Sequence, residues 1–352
     1  MKFLIIADDL TGALDSSGVF ATHGLTVLCA TSPRLLNEAL ERGPDVVSVS
    51  TNSRELSEAE AVRRMARVLS VIGAHNAYGD ALIFKKVDSR LKGHVAAEIV
   101  DLAAGSGRTL ICPAVPKLGR FVRNGAVCGA GVAVPIAIAE RTGCSSADIP
   151  DALSDADLDA AVRDCPPGTL FIGAAGLAEA LARKHAASPS PREIGDLPAP
   201  ALFAIGSRDP VTLAQLGGLA TVRAPNGNVP ANLPTGHDRL QVVQMTADGG
   251  HVDPLEAGEK FASGICKLLH RRQPALLLAC GGETAAAIMR GVGCGLLLVK
   301  GEVSPGLPMS QMLDGLPGLN LITKSGGFGP PEILLGLADR LVARAVEHTE
   351  EA

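Results

Sequence analysis

The chain has 352 residues, 47% of them hydrophobic, yet it holds no Trp, one Tyr and eight Phe, so Ala, Val, Leu and Ile carry the core while 40 Gly and 23 Pro punctuate it. So much aliphatic side chain excludes a disordered chain, and the glycines follow neither a collagen nor a heptad period. The formal charge of −5 argues against nucleic acid or an anionic membrane as the main partner, and no apolar run approaches the roughly 18 residues of a bilayer span.

The opening run MKFLIIADDL is cut off by Asp8 and Asp9, too soon for a signal peptide, and reads as a first buried strand over 3–7. A helix is predicted over 12–23, ended by Gly24, then a strand over 26–30, a helix over 35–42, a strand over 46–50 and a helix over 58–72. A strand over 81–87, a helix over 95–104 and a strand over 109–112 continue the pattern, with a helical stretch over 177–185. The proline-rich, aperiodic segment 186–200 reads as a linker, so the expected division is residues 1–190 and 200–352. Beyond it come strands over 201–205, 240–245, 275–279, 296–300 and 319–323, and helices over 213–219, 255–271, 284–290 and about 331–348. Continuous β-branched runs alternating with helices imply parallel strands buried on both faces. The fold class is therefore α/β: two domains, each an open, mostly parallel sheet flanked by helices.

Ligands of such sheets gather beyond the carboxyl ends of the strands. There the first half places Asp8-Asp9-Leu10-Thr11-Gly12, Thr51-Asn52-Ser53-Arg54, Asp88-Ser89-Arg90-Leu91-Lys92-Gly93, and a run ending in Arg120. Any one of these is an ordinary N-cap or solvated loop; four together point to a small-molecule site. Between 85 and 123, eight Lys and Arg outnumber Asp88, Glu98 and Asp101, a basic focus inside an acidic chain that suits a small anion. Asp8, Asp9 and Asp88 can each bind a hydroxyl or act as a base, and one of the first two can instead cap the following helix.

The second half places Gly206-Ser207-Arg208-Asp209, Gly281-Gly282-Glu283-Thr284 and Lys324-Ser325-Gly326-Gly327-Phe328-Gly329 after its strands. Glycine-rich turns that open helices expose amides to phosphate, although each alone is more often just a turn. Neither a P-loop nor a dinucleotide fingerprint is present. The eight Cys show no C-x-x-C pair and no zinc spacing, so reduced thiols, no protein-held metal cluster and a cytoplasmic setting are expected.

The ordered set ADDLTGALDSSGVF, STNSR, KKVDSRLKGH, CPAVPKLGR, GGETAAAI and KSGGFGPPEIL resembles the four-carbon acid sugar kinase family, over residues 3 to about 335. The resemblance implies a sugar-acid-binding domain, an ATP-binding domain, an active site in the cleft between them, and transfer of a phosphoryl group from ATP with Mg²⁺ to a terminal hydroxyl of a tetronate, 3-oxo-tetronate or branched relative. By position it puts Asp8, Asp9, Arg54, Asp88, Ser89, Arg90 and Arg120 at the acid, and Ser207, Gly281, Gly282, Glu283, Thr284, Gly326 and Gly327 around ATP. Asp9 is favoured over Asp88 as the base; Lys324 and Glu283 stay open between a phosphate or metal role and a solvated or salt-bridged one. The chain departs from the family pattern where DSRLKGH stands for DSTLRGN, GSRD for a GSCS-type turn and KSGGFG for KSGNFG. A small-molecule acid and ATP are the expected partners, with a homodimer possible. The alternatives are an NAD(P)-dependent hydroxy-acid dehydrogenase, against which the absent fingerprint weighs, and a non-catalytic sugar-acid sensor, for which no output module is visible.

Overall fold

The structure is a computed structural model and describes residues 2–144, 147–188, 191–192, 194–234, 239–250 and 252–342. The chain forms two compact units, Met1–Arg192 with Val299–Gly301, and Glu193–Leu298 with Glu302–Ala352.

The first unit runs β1 (Phe3–Ala7), α1 (Leu10–Thr22), β2 (Val27–Ala30), α2 (Leu36–Glu41), β3 (Val46–Ser50), α3 (Glu58–Gly73), β4 (Leu82–Lys86), α4 (Val95–Ala104) and β5 (Arg108–Cys112). It continues through β6 (Arg120–Arg123), β7 (Ala126–Gly129), β8 (Ile136–Ala137), α5 (Ile138–Thr142), α6 (Asp155–Arg163), β9 (Thr169–Gly173) and α7 (Ala175–Lys184). Strands lie in the order β2-β3-β1-β4-β9-β5, and all their pairings are parallel. The central strand β1 is buried along its whole length because helices cover both faces of the sheet, which is why it reads FLIIA without alternation. Adjacent residues of β4 show the two faces directly: Lys85 turns to Glu98 on α4, and Lys86 turns to Gly12 on α1. Register aligns Ala7 with Ser50 and Lys86, and Gly173 with Lys86 and Cys112, so the polar segments that follow leave from one edge.

Six elements of this unit, β6, β7, β8, α5, α6 and β9, have no counterpart in the periodicity. Strands β6, β7 and β8 form an antiparallel ribbon, too short and too charged to stand out in the sequence. Gly129 closes the ribbon at φ +101, where a Cβ would lie 2.1 Å from the Gly119 carbonyl oxygen. Helix α6 and strand β9 complete the sheet between the ribbon and α7.

The second unit runs β10 (Ala201–Ile205), α8 (Pro210–Gln215), β11 (Val222–Pro225), β12 (Leu240–Thr246), α9 (Pro254–Arg272), β13 (Leu276–Cys280), α10 (Gly282–Val292), the two ends of β14 (Leu296–Ser304), whose Val299–Gly301 belong to the first unit, β15 (Leu307–Met312), β16 (Asn320–Lys324) and α11 (Ile333–Val342). Its order is β11-β12-β10-β13-β16-β15-β14, with β15 antiparallel to β16 and the pairings from β11 to β16 parallel. Phe203, Leu278, Ile322, Leu334, Leu337 and Leu341 bring the sheet and α11 into one apolar layer. The helix expected to reach residue 348 is described to Val342, and the remainder of that expectation lies outside the described residues.

Candidate functional site

In the first unit Arg54 ties two strand ends together. Its Nε and Nη2 donate to the two carboxylate oxygens of Asp8 at 2.8 and 2.7 Å, and its Nη1 donates to Asp9 Oδ2 at 2.6 Å. Burial alone raises the Asp8 carboxyl, but the hydrogen bonds and charge of Arg54, with Lys85 and Lys86 beyond, hold it below its ordinary value. Burial opposes the Arg54 guanidinium, and the charges of Asp9 and Asp8 outweigh it, so Arg54 is held above its ordinary value. Asp9 also caps α1: Oδ1 accepts from the Gly12 amide at 2.8 Å and Oδ2 from the Thr11 hydroxyl at 3.0 Å. The capping role is thus real and falls to Asp9. Both its oxygens are already engaged.

On the opposite face Lys85 pairs with Glu98 at 2.8 Å, and Glu98 also accepts from the Ser53 hydroxyl. This buried pair has its own charge balance. Lys86 does not. It is 6% exposed, and among the described residues it makes no ion pair or hydrogen bond. Its Nζ lies 3.2 Å from where a Gly12 Cβ would stand, against the first turn of α1. Asp15, further along the same helix, is pushed up to about 6 by burial, with Lys86 opposing and Glu179 and Asp9 adding to the rise. Glu179 is itself held by Lys117 and by Arg183 at 3.5 Å.

The loop after β4 carries the second group. Asp88 Oδ1 accepts from the Arg90 amide at 2.9 Å, and among the described residues its other oxygen has no partner. Ser89 accepts from Arg120 Nη1 at 2.6 Å, and Arg120 Nε donates to the Ala130 carbonyl at 3.0 Å. Arg90 Nη1 and Arg120 Nη2 each lie 3.8 Å from the point a Gly131 Cβ would occupy, so the two guanidiniums converge. Burial first, and then the positive charge of Arg90, hold Arg120 below its ordinary value, with Asp88 pulling the other way. Arg90 Nε is buried without a partner. Two convergent guanidiniums have the geometry to receive a planar, forked anion.

In the second unit the strand ends Ile205, Cys280 and Lys324 are in register, and their loops interlock. A Cβ on Gly206 would lie 2.0 Å from Thr284 Oγ1, and one on Gly326 would lie 2.3 Å from Ser207 Oγ. Gly281 takes φ +109 and donates its amide to the Lys324 carbonyl at 2.8 Å. It is the N-cap of α10 and offers no side chain, so the first amides of that helix stay open to a ligand. Ser207, Gly281, Gly282, Thr284, Gly326 and Gly327 therefore form one locus. Glu283 stands at its rim, exposed in the first turn of α10. Asp209 caps α8 through Oδ1, 2.9 Å from the Val211 amide, and a Gly327 Cβ would lie 3.2 Å from its Oδ2.

Lys324, open between several roles in the sequence, is fully buried. Its partners are the Ser325 and Gly326 carbonyls at 3.1 and 3.4 Å and the Thr212 hydroxyl at 3.5 Å. Burial holds its ammonium below the ordinary value, with Cys280 and Asp209 pulling the other way. The sequence pattern missed Lys86, Asp15, Thr212 and Gln215; only the adjacency of Lys86 to the Asp88 loop gave a signal. Among the described residues no three His, Cys, Asp or Glu cluster as a metal site, and no helix is long and apolar enough to cross a membrane.

Residues 3–150 match a sugar-binding N-terminal domain family, and residues 231–334 match a nucleotide-binding C-terminal domain family. The chain is 27% identical to a D-threonate kinase of Cupriavidus necator, covering 94% of this chain and 95% of the relative. It is 28% identical to a D-threonate kinase of Bordetella bronchiseptica over 97% of each chain. A 3-oxo-tetronate kinase of Cupriavidus necator is 24% identical over 93% of this chain and 94% of its own length. A solved structure from Salmonella typhimurium LT2 shares the fold with a TM-score of 0.71 at 19% identity, over 95% of this chain and 98% of the other.

Proposed function

We propose, for a chain that belongs to the four-carbon acid sugar kinase family, that it transfers the terminal phosphoryl group of ATP to a hydroxyl of a tetronate-class acid. The first unit is then the acid site and the second the nucleotide site. The convergence of Arg90 and Arg120 on Gly131, where Asp88 is the acid that acts on Arg120 among the described residues, carries the reading: it supplies guanidinium donors for a substrate carboxylate. Asp88 is the base in this reading in preference to Asp9. A base needs a free lone pair to take the hydroxyl proton, and Asp9 spends its oxygens on Gly12, Thr11 and Arg54. Asp8 and Arg54 form the rigid floor. Lys86 is left as a cation for an anionic oxygen of the reactants.

Phosphoryl transfer asks the protein mainly for placement and charge neutralisation. The amides at the start of α10 and in the 325–329 loop suit the phosphates. Mg²⁺ arriving with ATP would neutralise phosphate charge and needs only one or two carboxylates; Asp209, beside Gly327, and the exposed Glu283 would be the acids to hold it.

A coupled ADP-release assay over a panel of four-carbon acids tests the reading, with D-threonate first because two of the relatives above bear that name. ADP is expected only with ATP, Mg²⁺ and acid together. Arg120→Ala is expected to raise KM for the acid about 10-fold or more, the loss of a charged hydrogen bond. Asp88→Asn is expected to lower kcat about 100-fold or more; full turnover by that variant would remove Asp88 from the role.

A further inference from the structure

The loop after β16 has its main-chain carbonyls collected on one side. Lys324 Nζ donates to the carbonyls of Ser325 and Gly326 at 3.1 and 3.4 Å. Thr212 Oγ1 donates to the same Gly326 carbonyl at 2.6 Å. Gln215 Nε2 donates to the carbonyls of Phe328, Gly329 and Pro330 at 3.0, 2.8 and 3.0 Å. All three side chains lie inside the unit, with Lys324 and Thr212 at 0% exposure and Gln215 at 1%.

Across a trans peptide the N–H points opposite to the preceding C=O. Drawing the carbonyls of 325, 326 and 328 inward therefore turns the amides of Gly326, Gly327 and Gly329 the other way. Among the described residues none of these three amides has a protein acceptor. The Gly326 and Gly327 positions face Ser207 and Asp209, at the locus that the α10 amides share. Were one of these peptides reversed, a carbonyl oxygen would stand where a phosphate oxygen is expected, and an attraction would become a repulsion.

Lys324 adds a second fact. A buried ammonium whose hydrogen bonds all go to carbonyl and hydroxyl oxygens, with no ion pair among the described residues, is costly. Such a cost is offset where the positive charge acts on something through the loop. The same charge favours the inward carbonyls and adds to the positive potential beyond them.

We propose that Lys324, Thr212 and Gln215 are positioning residues that sort the dipoles of the 325–330 loop, so that its amides face the nucleotide phosphates without any of the three touching the ligand. The inference rests on the kinase reading above. Its test compares the wild type with Lys324→Met, Gln215→Leu, Thr212→Val and Thr212→Ser in the same ADP-release assay, together with the thermal shift each protein shows with ATP alone.

The three variants that lose a donor are expected to raise KM for ATP about 10-fold or more and to lose ATP protection. Their KM for the acid should stay within about 2-fold of wild type, since the acid site makes no use of the loop. Thr212→Ser keeps the hydroxyl and is expected to behave as wild type. Should Lys324→Met fail to fold, the Thr212→Val and Thr212→Ser pair carries the same comparison. Variants that melt earlier but keep the wild-type KM for ATP and ATP protection would overturn the inference and leave the kinase reading standing. A wild type that neither releases ADP nor gains protection from ATP would overturn the kinase reading itself, and the inference with it.

Discussion

Asp15 offers the sharpest test of the electrostatics around α1. Its carboxyl is raised from 3.8 to about 6, chiefly by burial, even though Lys86 pulls it down. A folded-state value above the unfolded one means that the folded state holds this proton more tightly. Stability from Asp15 is therefore greatest below the ordinary value and is lost as pH rises through about 6. At about 1.4 kcal/mol per pH unit the ceiling of that loss is about 3 kcal/mol, and residual solvent contact brings the expected figure to about 1–2 kcal/mol. Asp15→Asn removes the ionisation while keeping the shape. It should stabilise the first unit by about 1–2 kcal/mol near pH 8 and have almost no effect near pH 3, where the carboxyl is protonated in the folded state and largely so in the unfolded one. The assay is built into the chain. There is no Trp and only one Tyr, and Tyr78 is buried in the first unit with its hydroxyl donating to the Pro44 carbonyl at 3.0 Å. Tyrosine fluorescence during urea unfolding thus reads that unit alone. An equal difference between the two proteins at both pH values, or a destabilised variant at the higher one, would refute the reasoning. Asp8 has the opposite sign: its lowered value contributes stability that is lost only as pH falls through it.

Two further outcomes are expected. Gly206→Ala puts a Cβ 2.0 Å from Thr284 Oγ1 and should destabilise the second unit by about 1–3 kcal/mol. Gly336→Ala, on an exposed stretch of α11 with nothing within 4 Å of the new Cβ, should stabilise it by up to about 1 kcal/mol; calorimetry on the two variants checks the contrast. None of the eight Cys, all among the described residues, is in a disulfide, and burial pushes the Cys29 and Cys112 thiols up to about 12. Brief alkylation near pH 8 followed by peptide mass spectrometry should therefore leave both unlabelled while the partly exposed Cys128 reacts.

Much of the scaffold was legible because a strand buried on both faces cannot hide. FLIIA, VVSVS and LLLAC have one reading each, and the polar residues after them had to collect at one edge. The ribbon of β6 and β7 was not legible. RFVR has an Arg at each end and AVCG is short and mostly small, and their closure depends on Gly129 meeting the Gly119 carbonyl. In the site, a charged residue after a strand was visible, but its partner was not. Lys85 and Lys86 are equivalent in sequence; one pairs with Glu98 on α4, while the other forms no ion pair among the described residues and acts on Asp8 and Asp15 only through its charge, a difference set by which face of β4 each occupies. Thr212 and Gln215 look like an ordinary helical stretch until the carbonyls above them are placed.

The glycines of the second unit also acquire a different explanation from the one their pattern suggested. Close approach by phosphate was the expected reason for them, yet at Gly206 and Gly326 it is the protein's own Thr284 and Ser207 that leave no room for a Cβ. The loops are packed against one another first, and the amides they present follow from that packing. The two departures from the family pattern in this unit then belong together. Where KSGGFG stands for KSGNFG, the extra glycine is Gly327; where GSRD stands for a GSCS-type turn, the new acid is Asp209. A Cβ on Gly327 would lie 3.2 Å from Asp209 Oδ2, so an asparagine at 327 would crowd the very carboxylate that the other change introduces. Gly327 leaves that oxygen open on the side where phosphate and Mg²⁺ are proposed to sit, which makes the pair one substitution in physical terms: a side-chain amide given up at 327 and a carboxylate gained at 209.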